Sequence, residues 1–253
     1  MKDQQKKVFS EFVRNYGGAI LIWAGPEGCG KSSRIQYLQS ALENVVPTPA
    51  IFFSRVVGDF CRKKVDALRG VKNAAKRRPY EDALEKMQER RKDIDPQILT
   101  QAFREALHFM PRPQDPNFGN FGITNADGCL RLPDQVSMAV NVFADLILPT
   151  NPTVIVELQT SPEIAFRRAM ARGGMTDTED NIRRAHREFA VNMAKVLTAA
   201  KPYADHIRID VSADDADINN SAVSDALCAY LTQVMDGRRL IKTLIPAGDS
   251  VAA

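Results

Sequence analysis

A chain of 253 residues, 44% of them apolar, is long enough to bury a substantial core, as one large α/β domain or two small ones. Its 34 Lys and Arg against 31 Asp and Glu leave a formal charge of +3, too near balance for a protein held on nucleic acid by bulk electrostatics. No apolar run approaches the roughly eighteen residues that span a bilayer, and the opening MKDQQKKVFSEF has no secretory-type segment, so a cytoplasmic chain without membrane or nucleic-acid partners is expected.

In chain order, VFSEFVRNY places Val8, Phe9, Phe12, Val13 and Tyr16 at helical spacing and stops at Gly17 and Gly18, which predicts a short leading helix. The apolar run Ala19–Ala24 reads as a buried strand. It runs directly into Gly25, Pro26, Glu27, Gly28, Cys29, Gly30, Lys31, Ser32 and Ser33, which fit G-x-x-x-x-G-K-[ST], the P-loop for nucleotide phosphates. The glycines let successive N–H groups converge on one anion, Lys31 can reach the terminal phosphates, and Ser32 or Ser33 offers a hydroxyl to Mg²⁺. The helix SSRIQYLQSAL then aims the positive end of its dipole at the same anion.

Prolines end that helix, and Ala50–Phe53 reads as a second strand. From about Asp59 to Leu107 the pattern is helical and charged, with breaks expected near Gly70, Pro79 and Pro96. Its basic patch Lys72, Lys76, Arg77 and Arg78 reads best as a solvated face. Pro111–Gly122 is loop-like, and Phe121–Thr124 forms a strand that brings Asp127 to its C-terminal end, where open parallel sheets bind ligands and an aspartate can hold Mg²⁺. A helix over Pro133–Leu146, a buried strand PTVIVELQ and a helix capped by Ser161 with Pro162 at its first position follow. After the short break GGMTDTED come a long helix NIRRAHREFAVNMAKVLTAA, a last strand HIRIDVSA, a closing helix VSDALCAYLTQVM and a tail expected to fray. Cys29, Cys61, Cys129 and Cys228 are scattered, without a metal-binding spacing, and read as reduced thiols. His186, on a charged helix, and His206, before a strand, read as structural or exposed.

Strands alternating with helices after a P-loop imply a parallel sheet wrapped on both faces, a three-layer α/β/α architecture. Within it the motif order of about Ile20–Leu231 resembles the nucleoside monophosphate kinases, adenylate kinases above all. GDFCR supplies Gly58, Asp59 and Arg62 of the S-T-G-D-x-x-R motif, with Ser54 two residues too far upstream; DGCLRLPDQ supplies Asp127, Gly128, Arg131 and Gln135 of D-G-F-P-R-x-x-x-Q. Arg168 and Arg172 look like the arginine pair that precedes the lid. The resemblance implies a single P-loop kinase domain over 1–253, an acceptor-binding helical region over 54–107, and a short lid over 172–182. It further implies ATP and Mg²⁺ as cofactors, with Ser32 and Asp127 at the metal, Arg62 and Arg131 on the acceptor phosphate, and Gln135 hydrogen-bonding the acceptor base. Arg168 would lie against the donor base, and Arg172 would reach the phosphates on lid closure. The acceptor would be AMP first, with UMP, CMP or dTMP behind it, and the chain a monomer.

The lid departs from the family pattern. Matching I-R-x-R at Ile182 gives Arg183, but puts the second arginine on Ala185 and the lid arginine on Gly174, leaving Arg184 or Arg187 as substitutes. A nucleotide-binding module acting through partners is therefore a second reading. A nucleic-acid-directed P-loop ATPase is a third, supported by the small basic excess alone. A GTPase lacks its N/T-K-x-D tetrapeptide.

Overall fold

The computed structural model describes residues 1–89, 93–108, 122–128, 130–144, 151–173 and 178–237. Five strands, β1 (Gly18–Ala24), β2 (Ala50–Phe52), β3 (Gly122–Asp127), β4 (Thr153–Gln159) and β5 (Asp205–Asp210), form one sheet in the order β2-β3-β1-β4-β5. Every neighbouring pair is parallel. β1 is buried at all seven positions, as a central parallel strand must be when helices cover both faces. Its side chains alternate accordingly. Ile20, Ile22 and Ala24 join one core with Phe53, Val57, Leu99, Phe103 and Val196, whereas Ala19, Leu21 and Trp23 join another with Phe9, Phe12, Ile35, Leu38 and Leu227.

The second core is built by α1 (Asp3–Tyr16), α2 (Lys31–Leu42) and α9 (Ala216–Met235), the first by α3 (Phe53–Ala67), α4 (Ala74–Gln88), α5 (Pro96–His108), α6 (Asp134–Ala144) and α8 (Glu179–Ala200). α7 (Pro162–Ala171) follows β4, and Ser161 caps it by accepting from the Ile164 N–H at 3.2 Å, as its sequence predicts. The chain moves from β1 outward to β2, returns to β3 beside β1, and crosses to β4 on the other side. The P-loop thus leaves the sheet at its switch point, the crevice where parallel α/β sheets take ligands.

Several boundaries differ from expectation. α1 begins at Asp3, because the Lys2 N–H donates to Gln5 Oε1 at 2.8 Å and starts the helix before its apolar stripe. Phe53 opens α3 instead of closing β2, so Gly58, Asp59 and Arg62 lie inside a helix. Pro79 does not break the chain either: α4 runs through it. Its missing N–H would have met the carbonyl of Ala75, which is exposed and open to water, and ion pairs Arg77–Glu81 at 2.7 Å and Arg78–Asp82 at 2.9 Å brace the turn. β5 ends at Asp210, and α9 starts seven residues before Val223, with Asp215 accepting from the Asp217 N–H at 2.7 Å. The loop before Gly122, the end of the helix after Ala144, lid residues 174–177 and the tail from 238 lie outside the described residues. Among the described residues no helix is long and apolar enough to cross a membrane.

Candidate active site

The P-loop closes on itself. Lys31 turns its ammonium back to donate to the carbonyls of Gly25 at 2.8 Å and Pro26 at 3.1 Å, and Cys29 Sγ lies 3.7 Å away. Gly28 cannot be replaced there: its φ is +84°, and a Cβ would stand 1.9 Å from the Ala165 carbonyl of α7. Burial pushes the Cys29 thiol above its ordinary range, more than the neighbouring Lys31 lowers it, so it stays a protonated, inert wall. From α8, His186 Nε2 donates to the Glu27 carbonyl at 2.8 Å and fixes the outer rim of the loop.

Asp127 ends β3 beside the loop, level with Trp23 of β1. Its Oδ2 accepts from Ser32 Oγ at 3.1 Å, while its Oδ1 is buried without a partner. An orphaned carboxylate oxygen beside a P-loop hydroxyl is the donor set a hard divalent cation takes, so Ser32 and Asp127 fit Mg²⁺. Beneath them, the indole N–H of Trp23 donates to Asn125 Oδ1 at 2.9 Å and Asn125 donates to the Ile123 carbonyl at 2.9 Å, tying β1 to β3.

A cleft of about 750 Å³ opens over the loop. Lys31, Ser32, Ser33, Asp127, Arg131, Arg168 and Arg172 all line it. A smaller cavity of about 90 Å³ adjoins it, walled by Phe53, Val57, Met87, Leu99, Phe103 and Met138, with Ser54, Gly128, Arg131 and Gln135 as its polar part. Phe53 and Phe103 stack with centroids 3.4 Å apart. Ser54, Met87 and Arg131 belong to both spaces. Arg131 Nη1 lies 3.9 Å from Glu27 Oε1, its nearest charged neighbour in the loop.

Other expected residues are placed differently. Asp59 and Arg62 pair with each other at 2.6 Å on an exposed face of α3 and line neither space. Helical i, i+3 spacing brings them together and turns both outward. Gln135 lines the smaller cavity, but its Oε1 accepts from the N–H groups of Arg131 at 2.8 Å and Leu132 at 3.1 Å, so its amide faces a ligand as a donor only. Arg168 donates to the carbonyls of Val211 at 2.9 Å and Ala213 at 2.5 Å, which binds α7 to the loop after β5. Of the lid-side candidates, Arg183 stacks 4.6 Å over Phe166 and pairs with Glu179 at 2.7 Å, Arg184 donates to the Glu89 carbonyl and Asn181, and Arg187 is exposed. His206, expected to be structural or exposed, donates to buried Glu157 at 2.7 Å, beside Arg208 at 3.0 Å. Arg34, Asn219 and the aromatic and methionine wall carry no motif, and sequence reasoning passed over them; the apolar spacing of α3 and α5 marks Phe53, Val57, Leu99 and Phe103 as inward-facing, and no pattern marks Arg34 or Asn219.

No family model matches this chain, and no curated protein does. Among solved structures it is similar to the crystal structure of a gluconokinase from Sinorhizobium meliloti 1021, at 16% identity over 89% of this chain and 99% of that one, with a TM-score of 0.47. A likeness at that level says nothing about substrate.

Proposed function

We propose that this protein transfers the terminal phosphoryl group of ATP to a nucleoside monophosphate. The observation that carries the reading is Arg131, whose guanidinium borders both the cleft over the P-loop and the apolar cavity beside it. Phosphoryl transfer between two polyanions needs positioning and positive charge more than covalent chemistry. The P-loop N–H groups and Lys31 would bind the donor's β- and γ-phosphates, releasing Lys31 from the carbonyls of Gly25 and Pro26. A Mg²⁺ ion held through Ser32 and Asp127 would neutralise charge on those phosphates. Arg131 would leave Glu27 for the acceptor phosphate, gripping it with the two parallel donors of its planar fork. The stacked Phe53 and Phe103, with Met87 and Met138, suit a flat base, and the Gln135 amide would donate to a base acceptor. Arg168 would lie against the donor base, and Arg172, exposed at the end of α7, would swing to the phosphates. No histidine base is needed, because the acceptor phosphate is already anionic.

The test is ADP formation from ATP and Mg²⁺ with AMP, UMP, CMP, dTMP and gluconate offered separately, against a no-acceptor control. The expected result is turnover that requires a monophosphate, highest with AMP, and falls at least about a hundredfold in Lys31→Ala. Turnover with gluconate alone would overturn the acceptor while keeping the transfer. A second reading, a nucleotide-binding module without efficient transfer, is favoured by the engagement of Arg183 with Phe166 and of Arg184 with Glu89, which commits both side chains to the protein itself. ATP binding with no acceptor-dependent ADP would decide for it.

A further inference from the structure

The donor side of the cleft holds a charge that the proposed chemistry has not used. Arg34, on the first turn of α2, is 9% exposed. Its Nη1 donates to the Ala216 carbonyl at 2.9 Å and to Asn220 Oδ1 at 2.6 Å, which pins one end of the guanidinium to α9. The other edge is unused: Nε is buried without a partner. Nε and Nη2 lie 3.8 and 3.9 Å from where a Cβ on Gly30 would stand, so this edge packs beside the last glycine of the P-loop, and both residues line the cleft. Nε–H and Nη2–H are parallel donors, the pair that grips a phosphate side-on.

Arg168 stands close enough that its charge, after burial itself, pushes Arg34 below the ordinary arginine range. Arg34 stays a cation all the same, since arginine does not deprotonate in proteins. Among the described residues neither meets a carboxylate within ion-pair distance; their partners are the carbonyls of Val211, Ala213 and Ala216 and the amide of Asn220. Two guanidinium groups in one corner, without a counterion, with a buried donor turned to the cleft, form a built site for an anion. Arg131 marks the acceptor end of the cleft, where it meets the apolar cavity, whereas Arg34 lies beside Gly30 and α9, and a P-loop cradles the α- and β-phosphates with its lysine toward the β and γ. An anion held beside Gly30 and α9 is therefore the phosphate nearest the nucleoside.

We infer that Arg34 binds the α-phosphate of the nucleoside triphosphate through its Nε–Nη2 edge and so selects how the donor lies in the cleft. The inference rests on the reading of this cleft as a nucleotide site. It is tested with the two diastereomers of ATP carrying sulfur at the α-phosphorus, titrated in metal-free buffer against the wild-type chain, Arg34→Lys and Arg34→Met. Lysine keeps the charge and loses the fork; methionine fills the space without a donor. Wild type should prefer one diastereomer by about fivefold or more, since sulfur accepts a charged hydrogen bond poorly. Both variants, folded by circular dichroism, should bind the preferred diastereomer about tenfold more weakly and lose most of the preference. Equal weakening of both diastereomers with the preference kept would reduce Arg34 to an anchor for α9 and overturn the inference alone. Failure of wild type to bind either one would overturn the nucleotide site with it.

Discussion

At the scale of single residues, charge placement separates scaffold from chemistry. Glu157 sits on β4, largely buried, and its Oε2 accepts from both His206 and Arg208. Burial would raise its carboxyl, but the two hydrogen bonds outweigh that and hold it below the ordinary glutamate value. A depressed carboxylate contributes stability that is present above its unfolded value, near 4.5, and is lost as pH falls through the folded one. Glu157→Gln should therefore lower unfolding free energy by about 1 kcal/mol at pH 7, discounted because Arg208 is well exposed. Denaturant titrations should show the gap between variant and wild type closing as pH falls below about 4. A gap unchanged at pH 3 would refute the role. The basic patch is scaffold too: Arg77 and Arg78 close on Glu81 and Asp82 one turn on, as a solvated helical face does.

Elements show where sequence patterns suffice and where they do not. β1, the P-loop and α2 were legible because one contiguous stretch sets strand, turn and helix. Asp127 was legible because a strand's end is a defined place in a parallel sheet. Asp59 and Arg62 lie on a helix that opens at Phe53 and line neither space, because a local motif cannot report which face of a helix turns inward. The early start of α9 was hidden because ADINNSA has no apolar period and is fixed by the Asp215 cap. Pro79 misled for a related reason: a proline stops a helix only when the lost bond cannot be replaced, and Ala75 is open to water. Pro79→Ala should restore that bond and stabilise the protein by about 1–2 kcal/mol, less the entropy the unfolded chain regains, read as a higher urea midpoint. A lower midpoint would mean that the ring itself supports α4.

For the whole molecule, the strand order decides where the candidate site forms. Placing β3 and β4 on either side of β1 gathers the P-loop, Asp127 and the loop holding Arg131 at one edge, while α3, α4 and α5 build the apolar cavity beside them. Long-range packing of this kind, in which Phe53 stacks on Phe103 and Met87 and Gln135 line one cavity, is set by tertiary contacts between distant segments; that is why the cavity was not readable in the sequence. The same geometry predicts ligand linkage. ATP with Mg²⁺ at about a hundred times its dissociation constant should raise the melting temperature by roughly 5–10 °C, and ATP with a chelator by less. Asp127→Asn should keep the chelator value and lose the metal's increment. An increment surviving in Asp127→Asn would place the metal elsewhere.

That Arg131 joins a donor site to an acceptor site, so that a phosphoryl group passes between them, is what we propose. It is tested most directly by following the label of ATP marked at its γ-phosphate, in the presence of the preferred monophosphate, in wild type and Arg131→Ala. The account predicts label in the acceptor's diphosphate with little in inorganic phosphate, and a loss of that transfer by at least about a hundredfold in Arg131→Ala with ATP affinity retained. Label released only as inorganic phosphate, or transfer undiminished without Arg131, would contradict it.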